Sequence, residues 1–246
     1  MSSNYNQGGN GAGLIAFEGI DGSGKSTQAK LLLAALQRTS VPVEYISFPR
    51  TSEHGYGEAI AMFLRGEFGS VEQVHPYLIA ALFAGDRSAA RHLMAGWLEA
   101  GKIVVADRYF YSNLAFQSAK IDELSRKLQF ADWLHHIEYT CNEIPEPAMT
   151  LFFDAPFEFV EANIRARVDE HREYLNGAAD IHESALHLQQ QVAVEYQRFA
   201  RADPRFRVIR CTDEDGSMRS PQSIHNEVVS LLANAGLVAA ECLECR

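Results

Sequence analysis

The chain has 246 residues, of which 47% are hydrophobic, and a formal net charge of −10. This length and composition are enough for one domain with a full core, whereas the acidic balance argues against extended contact with a nucleic-acid backbone. No apolar run approaches the ~18 residues that a membrane span needs, and the N-terminus lacks the basic and apolar regions of a signal peptide. We therefore expect a cytoplasmic protein without a nucleic-acid or membrane partner.

The two ends of the chain differ in composition from its centre. Residues 1–13 are polar and rich in Gly, Asn and Ser, and we expect them to form a disordered tail. Residues 14–236 contain no linker or internal repeat and are expected to form one domain. Residues 237–246 contain Cys242 and Cys245, a pair without a second Cys pair or a nearby His. We interpret this last segment as a reduced tail rather than a zinc or redox site.

Short apolar runs alternate with helical patterns along the domain. The predicted strands are Leu14–Glu18, Val43–Phe48, Ile103–Ala106, Met149–Phe153 and Phe206–Arg210. The predicted helices are Ser26–Arg38, Gly57–Arg65, Val74–Ala100, Glu123–Tyr139, Glu158–Arg167, Ile181–Ala202 and Gln222–Ala235. This alternation predicts an α/β fold in which a five-stranded parallel sheet is flanked by helices. Ligands bind such sheets at the carboxyl ends of the strands, so we expect the functional residues there.

The first predicted strand is followed by Gly-Ile-Asp-Gly-Ser-Gly-Lys-Ser at positions 19–26. These residues fit the pattern of a phosphate-binding loop, and the helix that must follow such a loop is predicted next. The glycines let the backbone wrap around a polyphosphate, to which the helix N-terminus presents a positive dipole end. Lys25 can reach the β- and γ-phosphates, and the Ser26 hydroxyl can bind Mg²⁺. The loop therefore predicts nucleoside triphosphate binding, and the resemblance described below gives ATP as the nucleotide and its binding residues as Gly19, Gly22, Ser23, Gly24, Lys25, Ser26 and Thr27.

Charged segments end two further strands. Asp107-Arg108-Tyr109 follows the third strand, where an acidic side chain suits a Mg²⁺ shell and Arg108 can clamp a phosphate. Phe48-Pro49-Arg50 ends the second strand and adds a cation at the same edge. The simpler interpretation of Asp107-Arg108-Tyr109 is an ion pair at a strand end, and that of Phe48-Pro49-Arg50 is a turn with one exposed Arg. The phosphate-binding loop favours the functional interpretation of Asp107-Arg108-Tyr109.

Two helical segments carry side chains that can recognise a base. Phe83 and Arg87 are four residues apart and therefore share a helix face, with a ring that can stack and a guanidinium that can bind carbonyl groups. Asn113, Phe116 and Gln117 follow the third strand on a short predicted helix, where an amide can pair with a base edge. The simpler alternatives are a core Phe beside a solvated Arg, and a helix-capping role for Asn113.

A polar segment between two predicted helices carries three arginines, Arg165, Arg167 and Arg172. Lid arginines can stabilise charge on a transferring phosphoryl group and close a site against water. An ordinary charged helix end explains the same composition equally well. We predict a lid over residues 165–180, with the catalytic arginine undecided among the three.

Together these segments resemble the thymidylate kinases, which are P-loop nucleoside monophosphate kinases. The resemblance runs from about Leu14 to Ala235 and rests on Phe17–Thr27, Phe48-Pro49-Arg50, Phe83 with Asp86-Arg87, Asp107-Arg108-Tyr109 with Ser112-Asn113, and Asp180-Ile181-His182-Glu183 followed by Val192, Tyr196 and Phe199. It implies the fold of that kinase class and Mg²⁺-dependent phosphoryl transfer from ATP to dTMP, giving ADP and dTDP for dTTP synthesis. Relatives are often homodimers, so the resemblance also implies a homodimer.

The resemblance implies roles for individual residues. It gives as catalytic residues Lys25, Asp21, Arg108, Arg165, Arg167 and Arg172, and as metal-site residues Ser26, Asp21 and Asp107. In the acceptor site, Phe83 would stack on thymine, Arg87 and Asn113 would read its edge, and Leu64 would cover it. Phe116 would sit against the deoxyribose, and Arg50 and Arg108 would grip the monophosphate. The full acceptor set is Asp21, Phe48, Pro49, Arg50, Leu64, Phe83, Arg87, Arg108, Ser112, Asn113, Phe116 and Gln117.

Two positions depart from the pattern of many relatives. Gly22 stands where some members carry an Arg inside the loop, and members without it supply an Arg from the lid, as this chain could. Thr51 stands where many relatives have Tyr, so any aromatic contact made there is lost. The alternatives to a thymidylate kinase are a kinase of another monophosphate such as dUMP, and a catalytically silent nucleotide-binding regulator. The compact length and the absence of heptads argue against a P-loop assembly protein.

Overall fold

Five parallel strands form one sheet in the order β2-β3-β1-β4-β5. The computed structural model of the chain describes residues 13–166 and 186–238, without the side chains of residues 165 and 166. The strands are β1 (Gly13–Glu18), β2 (Val43–Ser47), β3 (Ile103–Asp107), β4 (Met149–Asp154) and β5 (Phe206–Arg210). The predicted sheet is therefore confirmed. β2 ends one residue before the predicted Phe48, because Pro49 has no amide proton to continue the ladder.

Helices connect the strands and cover both faces of the sheet. They are α1 (Lys25–Arg38), α2 (Tyr56–Leu64), α3 (Pro76–Ala89), α4 (Arg91–Glu99), α5 (Phe110–Ser118), α6 (Leu124–His135), α7 (Phe157–Ala166), α8 (Leu186–Ala200) and α9 (Pro221–Asn234), with a π-helical turn at His136–Cys141 after α6. No helix within the described residues is both long and apolar enough to cross a bilayer.

Two predicted helices differ from the observed ones in where they end. The pattern over Val74–Ala100 is divided at Ala90, whose amide nitrogen lies closer to the Arg87 carbonyl oxygen, at 3.0 Å, than to the Asp86 carbonyl oxygen, at 3.3 Å. This tighter turn ends α3, and the apolar periodicity cannot detect it because α4 continues the same pattern. The pattern over Glu123–Tyr139 likewise ends in the π-helical turn.

The predicted domain boundaries are off at both described ends. Gly13, predicted as the last tail residue, is the first residue of β1. Beyond the predicted end at 236, Leu237 and Val238 pack against the core, and the Leu237 amide donates to the Leu232 carbonyl at 2.9 Å. Gly236, with φ +70°, makes this reversal possible because it lacks a Cβ. The described residues exclude residues 1–12, most of the predicted lid, and residues 239–246 with Cys242 and Cys245.

The core has one layer on each side of the sheet. Successive side chains of a strand point to opposite faces, so Ile15 and Phe17 pack with α1 and α9, whereas Leu14 and Ala16 face the layer of α2, α3, α5, α6 and α8. The three central strands are buried over nearly their whole length, which is why they lack polar alternation in the sequence. This packing holds the carboxyl ends of β1 and β3 rigidly side by side.

Two glycines let α2 approach its neighbours closely. A Cβ on Gly85 would lie 2.3 Å from the ring of Tyr56, and a Cβ on Gly57 would lie 2.0 Å from the carbonyl oxygen of Arg50. Real Cβ atoms do not approach other atoms so closely, so larger residues would force α2 away from α3 and from the segment after β2. The glycines thus fix the position of that segment.

Lys120, just after α5, is a buried cation in this layer. Its ammonium nitrogen has no hydrogen-bond partner among the described residues and lies 5.3 Å from the centroid of the Phe63 ring. Burial lowers the pKa of Lys120 to about 8, although the charge of Glu72 acts in the opposite direction. The ammonium group of Lys120 therefore loses its proton more readily in the folded protein than in the unfolded chain.

We expect Lys120→Met to raise the free energy of unfolding at neutral pH by about 1–3 kcal/mol, because the cost of burying the charge is removed. The lowered pKa means that the wild-type protein gains stability as the pH rises from about 8 to 10.5. The advantage of the variant should therefore shrink over that range. Urea unfolding at neutral and alkaline pH measures this, and a pH-independent difference would contradict the assignment.

Candidate active site

The predicted functional residues meet at the carboxyl ends of β1 and β3. Phe17 pairs in register with Asp107, so the loop at positions 19–24 begins beside the end of β3. Gly19, Gly22 and Gly24 all have positive φ, which lets the loop curl before α1 begins at Lys25. The N-terminus of α1 therefore lies at the sheet edge, where phosphate binding requires it.

A hydroxyl and a carboxylate face each other beside this loop. The Ser26 hydroxyl donates to Oδ2 of Asp107 at 2.6 Å, and the Tyr45 hydroxyl approaches the same oxygen at 3.3 Å. Burial, with the nearby charge of Asp107, raises the pKa of Tyr45 to about 12, so the phenol remains a donor. Oxygen donors of this kind suit Mg²⁺, which prefers one or two protein ligands completed by water and phosphate. The described residues contain no group of three His, Cys, Asp or Glu side chains able to hold a metal.

Asp21 lies at the centre of the site. Arg108 donates from Nη2 to Oδ1 of Asp21 and from Nη1 to the Ser112 hydroxyl at 3.1 Å. Lys25 approaches the same Asp21 oxygen at 3.9 Å and donates to the carbonyl of Ile20 at 3.2 Å. Burial acts to raise the pKa of Asp21, but the charges of Arg108 and Lys25 hold it well below its usual range. The carboxylate is therefore ionised between two cations.

Arg108 itself is held in an uncommon backbone conformation. Its backbone φ angle is +66°, a value that residues other than glycine rarely adopt. Its guanidinium carbon lies 5.3 Å from the centroid of the Phe116 ring, one turn further along α5 than Ser112. The strained turn after β3 thus aims the cation over α5 and toward the loop at positions 19–24.

A buried carboxylate that the sequence analysis missed orders the start of α5. Glu18, the last residue of β1, is fully buried and accepts from the backbone amides of Tyr109 and Ser112 at 3.0 and 3.1 Å. It also accepts from the hydroxyls of Ser112 and, at 2.9 Å, Tyr196. Burial raises the pKa of Glu18, although these hydrogen bonds act against the shift. The signal in the sequence was a Glu at the end of an otherwise apolar strand.

Two further arginines, Arg50 and Arg87, form ion pairs, and the second pair is almost fully buried. Arg50 donates from Nε to Oδ1 of Asp86 at 2.9 Å, and its backbone amide donates to Oδ2 at 2.8 Å. Arg87 is only 1% exposed and binds Glu138 through Nε at 2.6 Å and through Nη2. The simpler interpretation of Arg87 as a solvated surface residue is therefore wrong. Glu138 was missed because nothing in its sequence neighbourhood distinguishes it from an exposed helical Glu.

Asn113 and Gln117 present unused acceptors in the same region. The Asn113 amide donates to the Ala80 carbonyl at 3.0 Å and to Oε1 of Glu138 at 3.2 Å. Its Oδ1 atom and the Oε1 atom of Gln117 are buried without a hydrogen-bond partner among the described residues. Asn113 does not cap the helix, because Tyr109 is the N-terminal cap of α5. A buried orphan acceptor is costly unless a ligand donates to it.

The remaining predicted residues fall around these groups. Phe48 is buried, 5.9 Å from the Tyr109 ring centroid and 6.0 Å from the Arg87 guanidinium carbon, and the Phe48–Pro49 peptide is cis. Leu64 is buried in the same core layer, and Phe83 packs against it half-buried. In the loop, Ser23 is buried, whereas Thr27 is exposed on α1. Their roles stay predictions.

The beginning of the predicted lid lies beside the phosphate-binding loop. Asn163 of α7 donates from Nδ2 to the carbonyl of Gly22 at 2.8 Å. A Cβ on Gly22 would lie 3.0 Å from the Val160 carbonyl oxygen, so α7 leaves no room there for a larger residue. The side chain of Arg165 is not among the described ones, and Arg167 and Arg172 lie outside the described residues.

A glycine loop after the first strand, a Ser–Asp pair beside it and several arginines at the same sheet edge are typical of a P-loop phosphotransferase. The family model described as thymidylate kinase matches residues 17–219. The chain therefore belongs to the thymidylate kinase family, and its reaction is the phosphorylation of dTMP by ATP.

Individual relatives support this assignment. The chain is 30% identical over 187 residues to the thymidylate kinase of Mycobacterium tuberculosis, covering 76% of this chain and 85% of the relative. It is 30% identical over 220 residues to a probable thymidylate kinase of Pyrococcus abyssi, covering 89% and 94%. The solved structure of the thymidylate kinase of Candida albicans is similar with a TM-score of 0.69 at 21% identity, covering 94% of this chain and 96% of that one. This last similarity supports the fold.

We expect Glu138→Ala to lower the free energy of unfolding by about 3–5 kcal/mol, because it leaves the Arg87 charge buried and unpaired. The matched control is Glu143→Ala, which removes the partner of Arg91 where the Glu143 side chain is 66% exposed. Its effect should stay below about 1 kcal/mol. Urea unfolding of both variants is the measurement, and equal losses would show that the Arg87–Glu138 pair is not the buried anchor of this region.

Proposed function

We propose that the donor phosphates bind at the glycine loop and that dTMP binds between α3 and α5, with Asp21 between the two. The observation that carries this proposal is that one Asp21 oxygen faces Lys25 of the loop and Arg108 of the acceptor side. A single carboxylate thus links the cation of each substrate site. Closely fixed cations on both sides of a transferring phosphoryl group are what this reaction needs most.

The metal of this reaction is Mg²⁺, held in our proposal by the Ser26 hydroxyl and Asp107. Their contact at 2.6 Å places two hard oxygen atoms beside the loop. When bound, Mg²⁺ neutralises charge on the donor phosphates. Asp21 is the further candidate in the metal's water shell, although its oxygens are already paired with Arg108 and Gln189.

The chemistry requires positioning more than proton transfer. The acceptor is already a phosphate, so no strong general base is needed. Lys25 and Arg108 would neutralise charge that develops on the transferring group, and Arg50 would bind the acceptor phosphate. The lid arginines Arg165, Arg167 and Arg172 would complete this set, because α7 brings the start of their segment next to Gly22.

In our proposal, thymine is recognised by side-chain atoms of Asn113 and Arg87 that the contacts with Glu138 do not use. Both donated hydrogen bonds of Asn113 go to protein acceptors, so its Oδ1 is suited to accept from the N3–H of thymine. Arg87 uses Nε and Nη2 for Glu138, which leaves Nη1 to donate to a thymine carbonyl. Phe83 would stack on the ring, Leu64 would cover it, and Phe116 would lie against the deoxyribose, with Gln117 and Ser112 nearby.

The test is ADP release with Mg²⁺ and ATP against dTMP, dUMP, dCMP, dGMP, dAMP and thymidine. We expect dTMP to be preferred, with dUMP as a weaker substrate, since recognition of one methyl group is worth only about 1–3 kcal/mol. Preference for another acceptor would overturn the base-site assignment, and ATP binding without turnover would identify a regulator.

Lys25→Ala should reduce turnover by about 10³-fold or more without unfolding the protein, because the substitution removes a cation that stabilises charge in the transition state.

We also propose that two copies associate through the outer face of α3. Leu78 is 66% exposed, and Ala81, Leu82 and Ala89 recur on the same side of the helix with no charged residue among them. Leu93 of α4 adds a side chain that is 49% exposed. Contiguous exposed apolar surface of this kind marks interfaces, and a second copy would bury it symmetrically.

We expect Leu78→Glu to convert a dimer into a monomer, because the charge would have to be buried opposite its own copy. Leu124→Glu is the matched control, since Leu124 is 58% exposed on α6, outside the proposed face. Sedimentation velocity of the wild-type protein and both variants measures the mass. A wild-type monomer, or dissociation by both substitutions alike, would contradict the proposed interface.

We place the reaction in the cytoplasm, where ATP and deoxynucleotides are held. Cys211 and Cys141 are free thiols, the first buried and the second exposed. Burial raises the pKa of Cys211 to about 12, so this thiol stays protonated and unreactive. Free thiols of both kinds suit a reducing compartment.

A further inference from the structure

One glutamine of α8 reaches the phosphate-binding loop. The helix carries three consecutive glutamines, Gln189, Gln190 and Gln191, of which the second and third are exposed. Gln189 is fully buried. Burying an amide is costly unless its donors and acceptor are satisfied, so its partners in the loop matter.

Gln189 forms a reciprocal pair with Asp21. The backbone amide of Asp21 donates to Oε1 of Gln189 at 3.2 Å, and Nε2 of Gln189 donates to Oδ2 of Asp21 at 2.8 Å. The two residues are 168 positions apart in the chain, so only tertiary packing brings them together. A side-chain amide suits this arrangement because it can donate and accept at once without adding charge.

The pair divides the two oxygens of the Asp21 carboxylate between different partners. Oδ2 is bound by Gln189, and Oδ1 is bound by Arg108 while lying 3.9 Å from Lys25. Without the amide, Oδ2 would lose its hydrogen-bond partner, and the carboxylate would no longer be fixed in one orientation. Rotation of the carboxylate would move Oδ1 from its place beside Arg108 and Lys25 and so shift both cations relative to the substrates.

We propose that Gln189 is a positioning residue for phosphoryl transfer, which acts by holding the Asp21 carboxylate in the orientation in which Oδ1 faces both Arg108 and Lys25. The inference rests on the proposed roles of Asp21, Lys25 and Arg108. It adds α8 to the elements that contribute residues to the proposed site. The same helix is anchored by Tyr196 to Glu18 at 2.9 Å and by Glu195 to Lys127 at 2.5 Å, so Gln189 is presented from a rigid support.

The geometry also predicts the order of effects among substitutions. Met has nearly the length of Gln but neither donates nor accepts well, so Gln189→Met removes both hydrogen bonds with little change of shape. Gln189→Glu keeps the shape and sets a second negative charge against Oδ2 of Asp21, which repels it. The turnover number should therefore fall in the order Gln, Met, Glu. A role in helix packing alone would favour the isosteric Glu or make the two variants equal.

The experiment measures kcat and the KM values for dTMP and ATP, together with the melting temperature. We expect Gln189→Met to lower kcat by about 10- to 100-fold while both KM values change less than about threefold, because a small displacement of catalytic groups acts on the chemical step. Gln189→Glu should lower kcat further. Gln190→Met, the same substitution on the exposed side of the helix, is the matched control and should leave kcat within about twofold of wild type.

A double-mutant cycle separates action through Asp21 from other effects. In an Asp21→Ala background, Gln189→Met should change kcat by less than about twofold, because the partner that Gln189 positions is gone. If Gln189→Met does not fold, Gln189→Asn keeps the amide but is one methylene too short to pair, and the same loss is expected.

Two results would overturn the proposal. One is a lowered melting temperature of Gln189→Met with unchanged kcat, which would make Gln189 an anchor of α8 only. The other is an undiminished loss in the Asp21→Ala background. Failure of the proposed function is distinguishable from both, because wild-type protein and the Gln190→Met control would then also release no ADP with dTMP.

Discussion

The ion pair between Asp21 and Arg108 is the interaction on which the site depends. It joins the loop after β1 to the turn after β3, and the parallel register that sets Phe17 beside Asp107 makes the approach possible. The carboxylate remains ionised because two cations outweigh the cost of its burial. The loop after β1 and the turn after β3 are thereby held together, and in our proposal this lowers the cost of aligning the two substrates.

Buried carboxylates organise the rest of the acceptor side. Glu18 ties β1 to the start of α5, Asp86 holds Arg50, and Glu138 holds Arg87 together with Asn113. Each is almost fully buried, so each depends on its partners for compensation of the desolvation cost. These groups have discrete hydrogen-bonded arrangements, which restricts the side chains of the proposed base site to few conformations.

Local patterns in the sequence were enough to predict the sheet, the order of its helices and the phosphate-binding loop. Apolar runs of strand length are visible along the chain, and the Gly, Lys and Ser positions of the loop lie within eight consecutive residues. The division of the helix at Ala90 was not predictable, because the apolar period continues through it. The solvated alternative for Arg87 failed for a related reason, since its partner Glu138 lies 51 residues away and carries no local signal.

The sequence by itself determined which chemistry the chain can perform, because phosphate binding uses adjacent residues whose backbone conformations are local properties. Only the tertiary structure decided which charged and polar side chains pair with one another. Of Gln189, Gln190 and Gln191, which are identical in type and adjacent, packing turns the first toward Asp21 and leaves the other two in water. Likewise, packing leaves Asn113 with a free acceptor and no free donor. Such assignments depend on contacts between distant segments, and burial makes each of them energetically decisive.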